Sequence, residues 1–261
     1  MNESPLLVSM AEGIAELSLN RPKTKNALDE ALVASLGRAL REAEGNPAVR
    51  VIVISGQGGA FCSGVDLRTV LPELDRPERV AERLDAFHDV VRAICQSSKP
   101  VIASVDGAAV GFGADLALCC DLRVASEAAY FEEKFVALGL MPDGGGTYHF
   151  ARMLGLGRGL EYLLLGSRID AAKASELGLV NRVVARDQLA AQTRNLADQL
   201  RRAAPLAVAA IKRAVRAGQS GPLEDALARE RTGQLELLAS SDAREAIQAF
   251  LERREPVFHG R

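Results

Sequence analysis

Three segments of the chain set glycines between an apolar run and a pattern that turns helical, and nothing else in the sequence narrows its fold and chemistry so far. They read Gly56–Leu67 (GQGGAFCSGVDL), Lys99–Asp121 (KPVIASVDGAAVGFGADLALCCD) and Leu138–Phe150 (LGLMPDGGGTYHF). The β-branched runs Val51–Ile54 and Val101–Val105 lead into the first two. Glycine at such a junction permits positive φ and close approach of a ligand. A helix that opens just beyond it leaves N–H groups without intrahelical partners, and these favour negative charge. Two such donors converging on one point form an oxyanion hole.

Other catalytic apparatus is scarce. The three histidines (His88, His149, His259) are far apart in sequence, and the four cysteines (Cys62, Cys95, Cys119, Cys120) lack C-x-x-C spacing. That pattern argues against a zinc site and for a reducing, cytoplasmic setting. Backbone electrostatics combined with carboxylates is the chemistry left. The 32 basic and 34 acidic residues nearly balance, so the overall field gives no reason to expect nucleic acid or an anionic membrane as partner. Pro100–Cys120 is apolar enough to resemble a membrane span. It carries Asp106 and Asp115, each costing about 2.5–3.5 kcal/mol at a bilayer centre, so it reads as protein core. The N-terminus has no basic-then-apolar signal layout.

With 261 residues the chain is long enough for a large α/β domain with a helical appendage. Leu6–Leu19 alternates as one or two strands around Glu12-Gly13, and Asn26–Ala43 is helical with Asn26 or Asp29 as N-cap. Val49–Ser55, Val101–Val105 and Leu122–Ala125 read as strands, Leu74–Gln96 and Gly111–Cys120 as helices. Phe131 opens a segment that bends at Gly139 and Pro142. Helices then cover Arg158–Leu165 and Ala171–Leu177, followed by a short strand, Val180–Val184. Gln188–Leu251 is helical, with breaks at Pro205 and Gly218–Pro222. The chain thus divides into a core, 1–187, and a helical region, 188–261. Leu223, Leu227, Leu235, Leu238, Ile247 and Phe250 in the latter suit packing on the body or on another subunit.

These motifs, in this order, resemble the crotonase (enoyl-CoA hydratase/isomerase) family. The matching stretches are Leu19–Leu28, Ala60–Leu67, Lys99–Asp121, Gly139–Thr147, Gly155–Gly166, Ala171–Val184 and Phe250–Gly260. The resemblance implies an α/β fold: a crotonase-like spiral of ββα units with a C-terminal helical trimerisation region. It also implies a homotrimer or dimer of trimers. The ligand would be an acyl-CoA thioester, so coenzyme A arrives as part of the substrate and no separate cofactor is expected. The two oxyanion donors map to the backbone N–H groups of Val65 and Phe112, the latter in Gly111-Phe112-Gly113. Losing one such donor costs about 2.7–4 kcal/mol of transition-state stabilisation.

The carboxylates separate the reactions of the family. Hydratases that resemble this chain use two glutamates to activate water. The first position holds Asp115, shorter by one methylene and so withdrawn by about 1.5 Å; the second holds Phe135, which transfers no proton. Asp143, in a PDGGG setting like that of the phenylacetate-pathway ring isomerases, supplies the acid instead. The expectation is a double-bond shift from 3-enoyl- to 2-enoyl-CoA with Asp143 as proton shuttle. A hydratase using Asp115 and Asp143 is the first alternative, and a non-catalytic acyl-CoA-binding subunit the second. The resemblance puts the adenine beside Ser63, Gly64, Val65, Asp66 and Leu67, and a CoA phosphate near Lys25, with Arg21 and Lys23 as further candidates. Gly111, Phe112 and Phe135 would flank the acyl group, in a channel drawn from Leu67, Leu71, Leu84, Phe87, Phe131 and Leu140. Asp66 is expected to brace its turn, Glu132 and Glu133 to be solvated or structural, and His149 to be a surface or packing residue.

Overall fold

Alternating residues on either side of Glu12-Gly13 make a hairpin, because both turn residues take positive φ (52° and 80°), which matches the twist of the flanking strands. The computed structural model describes residues 4–218 and 221–261. β1 (Leu6–Ala11) and β2 (Ile14–Leu19) form that hairpin. There follow α1 (Glu30–Gly45), β3 (Val51–Gly56), α2 (Leu67–Val70), α3 (Pro77–Gln96), β4 (Val101–Val105), β5 (Ala108–Val110) and α4 (Phe112–Cys119). Next come β6 (Leu122–Ser126), β7 (Tyr130–Glu132), α5 (Gly146–Leu154), α6 (Leu156–Leu165), β8 (Ile169–Asp170), α7 (Ala171–Glu176) and β9 (Arg182–Val184). The chain closes with α8 (Leu189–Arg201), α9 (Pro205–Ala217), α10 (Leu223–Leu238) and α11 (Ser241–Glu252).

Six strands form one sheet in the order β1-β2-β3-β4-β6-β9, parallel throughout except for the β1–β2 hairpin at its edge. A small second sheet, β5-β7-β8, stands beside it. The continuous apolar runs of β3 and β4 are explained by burial on both faces. Ile52, Ile54 and Ala103 enter the main core with Leu36, Phe61 and Phe112. Val51, Val53 and Ile102 point the other way, against Leu189, Leu196 and Ala197 of α8. The first helix of the C-terminal region therefore caps the sheet. α9 is pinned to the body as well: Lys212 Nζ and Arg216 Nη2 reach the carboxylate of Asp121 at 2.6 and 2.8 Å. α10 and α11 carry the exposed apolar side chains, among them Leu223, Leu227, Leu235, Leu238, Ile247 and Phe250. Among the described residues, no helix is long and apolar enough to cross a membrane.

Several sequence expectations are sharpened or corrected. Asp29, not Asn26, caps α1, accepting the Leu32 N–H at 2.9 Å. Asn26 is fully buried with φ 58°, and its amide donates to the carbonyls of Gln57 and Ala60. It ties the basic loop to the first glycine segment. β5, β7 and β8 escaped the sequence reading, since strands of two or three residues leave no periodicity to detect. The break between α10 and α11 was also missed; Ser240 starts α11 by accepting the Ala243 N–H at 3.1 Å. Of the expected interruption at Gly218–Pro222, residues 219 and 220 lie outside the described residues.

The first two glycine segments are laced together by backbone bonds. Cys62 donates its N–H to Ala108 O, and Val110 returns its own to Cys62 O, both at 2.9 Å. α4 starts against this seam so closely that a Cβ on Gly113 would stand 2.2 Å from Cys62 O. No rotamer change relieves a clash with a backbone oxygen. Gly113→Ala should therefore destabilise the protein by at least about 1–3 kcal/mol. Denaturant unfolding beside a control such as Gly233→Ala, where a Cβ meets nothing within 4 Å, checks this.

Candidate active site

The site begins where the two laced segments end. Gly64 (φ 92°) brings its backbone against α4, and a Cβ there would lie 2.8 Å from Val110 O and 3.6 Å from the Phe112 nitrogen. On either side of Val65 the chain is committed: Gly64 O accepts from Leu28 N, and Asp66 N donates to Leu28 O. Among the described residues, the N–H groups of Val65 and Phe112 find no acceptor inside the protein. Phe112 is the first residue of α4, where the helix offers its N–H no partner. Its ring, 1% exposed, packs edge-on against Phe87 with centroids 4.6 Å apart. The side chain anchors the helix while the amide stays available. Gly111, at φ 53°, gives its N–H to Glu132 O at 2.8 Å, and Phe135 lays its ring against the same turn.

Three carboxyl groups gather at the start of α5. Asp115, on the first turn of α4, has no exposed surface and accepts the Gly144 N–H at 2.9 Å. The Gly144-Gly145-Gly146 turn cradles it: Cβ atoms on Gly144 and Gly146 would lie 2.8 and 2.5 Å from its oxygens. Burial pushes the Asp115 carboxyl up to about 7, the Gly144 N–H opposing the rise and the charge of Asp143 adding to it. Glu133, 2% exposed, is raised well above the carboxylate range by burial and then by the charge of Asp115. Asp143 is half-buried and is raised too, by burial, against the opposing charge of His88. His88 donates its Nε2–H to the Asp143 carbonyl at 2.9 Å and so fixes the turn.

Glu133 is the residue that sequence reasoning undervalued. It was expected to be solvated or structural, yet both its oxygens are buried without a donor, as is Asp115 Oδ1. Two ionised carboxylates cannot stand together in a dry pocket. One proton, held by Glu133 and donated to Asp115, satisfies an oxygen on each; it raises Glu133 and restrains the rise that burial gives Asp115. The available clue was Glu133 at the end of a short buried strand, but β7 itself was invisible in the sequence.

Around the predicted CoA positions the picture is mixed. Asp66 braces its turn as expected, capping α2 and pairing with Arg21 and Arg68. Arg21 is not a free phosphate ligand, since it is held at 3.1 Å by both Asp29 and Asp66. Lys23 and Lys25 are exposed, and Lys25 (φ 52°) accepts the Ser63 N–H on its carbonyl at 2.9 Å. Leu67, Leu71 and Leu140 are exposed, whereas Phe87 and Phe131 are buried in the core. His149, expected at the surface or in packing, is half-buried beside two thiols. Cys95 Sγ, Cys119 Sγ and a His149 ring nitrogen all lie within 4.8 Å of one another. Sequence spacing had spoken against any such cluster; α3, α4 and α5 converge and create it.

The enoyl-CoA hydratase/isomerase family profile matches residues 9–261. The chain belongs to that family. It is 37% identical to the 2,3-dehydroadipyl-CoA hydratase of Escherichia coli K12, covering 99% of this chain and all of that protein. It is 34% identical to the 1,2-epoxyphenylacetyl-CoA isomerase of the same organism, covering 98% of each. The crystal structure of an enoyl-CoA hydratase from Polaromonas sp. JS666 superposes with a TM-score of 0.93 at 37% identity, over 97% of this chain and 99% of that one. The chain is thus a crotonase-fold enzyme of the enoyl-CoA hydratase/isomerase class, with an acyl-CoA as the consistent substrate class.

The raised Asp115 carboxyl has a consequence for stability. Below about 7 the folded protein also keeps a proton on Asp115 itself, which the unfolded chain releases at the ordinary value of 3.8. Its stabilising effect is complete below that value and is lost as pH rises through about 7. Measured by urea unfolding, wild type should therefore lose stability relative to Asp115→Asn as pH rises from about 4 to 7, by up to about 1.4 kcal/mol per pH unit. Glu133→Gln, which keeps a donor toward Asp115, should be tolerated. Glu133→Ala at neutral pH should cost about 1–3 kcal/mol.

Proposed function

We propose that this enzyme moves the double bond of a 3-enoyl-CoA to the 2-position, with Asp143 carrying the proton. One observation carries the reading. Of the three carboxyl groups, Asp143 is only half-buried, whereas Asp115 and Glu133 are 0% and 2% exposed and engaged with each other and the Gly144 turn. Phe135, 7% exposed, occupies the position of the hydratases' second glutamate and offers no base.

In the proposed reaction the Asp143 carboxylate takes a proton from C2 of the thioester. The C–H electron pair flows into a dienolate whose negative charge rests on the thioester oxygen. The N–H groups of Val65 and Phe112 receive that oxygen, and their lack of internal acceptors supports the role. Asp143 then returns the same proton to C4, leaving the double bond between C2 and C3, so no atom is gained or lost. A carboxyl raised by burial suits both halves of the transfer better than a fully solvated aspartate. Lys25 and the Ser63–Leu67 backbone would hold the CoA moiety. The exposed apolar side chains of α10 and α11 support assembly into a trimer or a dimer of trimers.

Hydration is the second reading, favoured by a relative named a hydratase and by the acid at Asp115. The full burial of Asp115 weighs against a water-activating role. Assays on purified protein separate the two. Asp143→Asn should lower kcat/KM for isomerisation of 3-enoyl-CoA by about 10²–10⁴-fold while CoA binding persists. Unimpaired turnover in that variant would refute the shuttle. Loss of water addition to 2-enoyl-CoA in Asp115→Asn, with isomerisation absent from wild type, would establish the hydratase instead. Wild-type isomerisation should rise with pH through a limb above the ordinary aspartate value, because Asp143 must be ionised to take the first proton.

A further inference from the structure

We propose that Cys95, Cys119 and His149 form a site for one thiophilic divalent cation of the zinc class, set directly behind the carboxyl cluster. The three donors come from the ends of α3 and α4 and from the first turn of α5, and their ligand atoms lie within 4.8 Å of one another. Cys119 Sγ and His149 Nε2 are already 3.5 Å apart. Zinc at about 2.3 Å from sulfur and 2.0–2.1 Å from nitrogen, with tetrahedral angles, sets ligand edges of about 3.5–3.8 Å. One edge is therefore in place, and side-chain rotation at the half-buried Cys95 closes the others. Three protein donors leave a fourth position for water or an added ligand. Binding converts two thiols into two metal–thiolate bonds and releases two protons, so thiolate charge balances the dication.

The surroundings suit such an ion. The nearby cation is Arg216, which is already engaged by the Asp121 carboxylate and the Cys119 carbonyl, at 2.8 and 2.9 Å. Its charge is partly compensated there, and the same guanidinium also hydrogen-bonds the Cys95 sulfur. The site also touches the catalytic turn. Without a metal, Cys119 gives its S–H to Gly144 O at 3.3 Å, and the N–H of the same Gly144 holds Asp115. A bound cation would take that S–H away and tie α5 to α3 and α4, so occupancy acts on the residue that positions the acid pair.

The test uses the full chain, reduced, stripped with chelator and kept anaerobic. Cd²⁺ is the probe, because its thiolate charge-transfer absorption reports sulfur ligation directly. Saturation is expected at one Cd²⁺ per chain with release of about two protons, and Zn²⁺ should compete for the site and raise Tm. Cys95→Ser, Cys119→Ser and His149→Ala should each weaken binding about 100-fold or more. Cys120→Ser, whose thiol bonds to Leu116 O elsewhere in α4, should leave it unchanged. Should Cys119→Ser fail to fold, the half-buried Cys95 and His149 still decide the matter. No absorption in wild type, or absorption undiminished in Cys95→Ser and His149→Ala, would overturn the site. So would a reduced protein that takes up no Cd²⁺ but closes a Cys95–Cys119 disulfide in air.

Discussion

The reciprocal backbone pair between Cys62 and the Ala108–Val110 strand is the interaction on which the site depends. It is made of two main-chain hydrogen bonds of 2.9 Å, and it forces two loops from different βα units into contact. Contact at that distance excludes side chains, which is why glycine stands at 64 and at 113. The neighbouring amides, of Val65 and Phe112, are left with no acceptor among the described residues. A main-chain donor fixed in this way needs no reorganisation when charge develops on a substrate oxygen. In the proposed reaction the chemistry rests on backbone geometry, and the side chains of Val65 and Phe112 serve packing.

Desolvation is the second constraint. Asp115 and Glu133 lie in a pocket with too few donors for two charges: the Gly144 N–H serves one oxygen of Asp115, and the other three oxygens are buried without a donor. Sharing one proton is the arrangement that leaves fewest buried lone pairs unmet. It also removes one of the two charges, which limits repulsion of the ionised Asp143 just outside. Asp143 is raised by its own burial and held back by His88, whereas Asp115 feels the charge of Asp143 and Glu133 the charges of both, so the three groups do not act as independent carboxylates.

Legibility in the sequence followed the range of the interaction. The long strands β3 and β4, the helices α1 and α3, and the glycine junctions were readable because each is a local pattern of several residues. Asp143 and Phe135 were readable through motif likeness. The small sheet β5-β7-β8 was not, since two- or three-residue strands are made by pairing alone. Everything that hangs on that sheet was lost with it. Glu133 projects from the end of β7 into the Asp115 pocket, although one residue earlier Glu132 is half-exposed beside Lys134. Arg21 looked like a phosphate ligand in a basic loop because its two carboxylate partners are 8 and 45 residues away. Cys95, Cys119 and His149 looked unrelated for the same reason.

On the proposed reading, burial rather than residue type separates the two reactions that the family makes available. Hydration needs a base that both reaches water and lies over the β-carbon. Asp115 has the proton affinity for such work but no exposed surface, and Gly144 and Glu133 claim its oxygens. Phe135 fills the other position with a ring that repels water and cannot accept a proton. An apolar wall and a single reachable carboxylate instead favour returning the same proton to the same dienolate, because no competing water is activated nearby. Relatives named for hydration and for isomerisation share this chain's scaffold about equally well, at 37% and 34% identity. On that reading the scaffold fixes where an enolate is stabilised, and the accessibility of one or two acids around it determines what the enolate becomes.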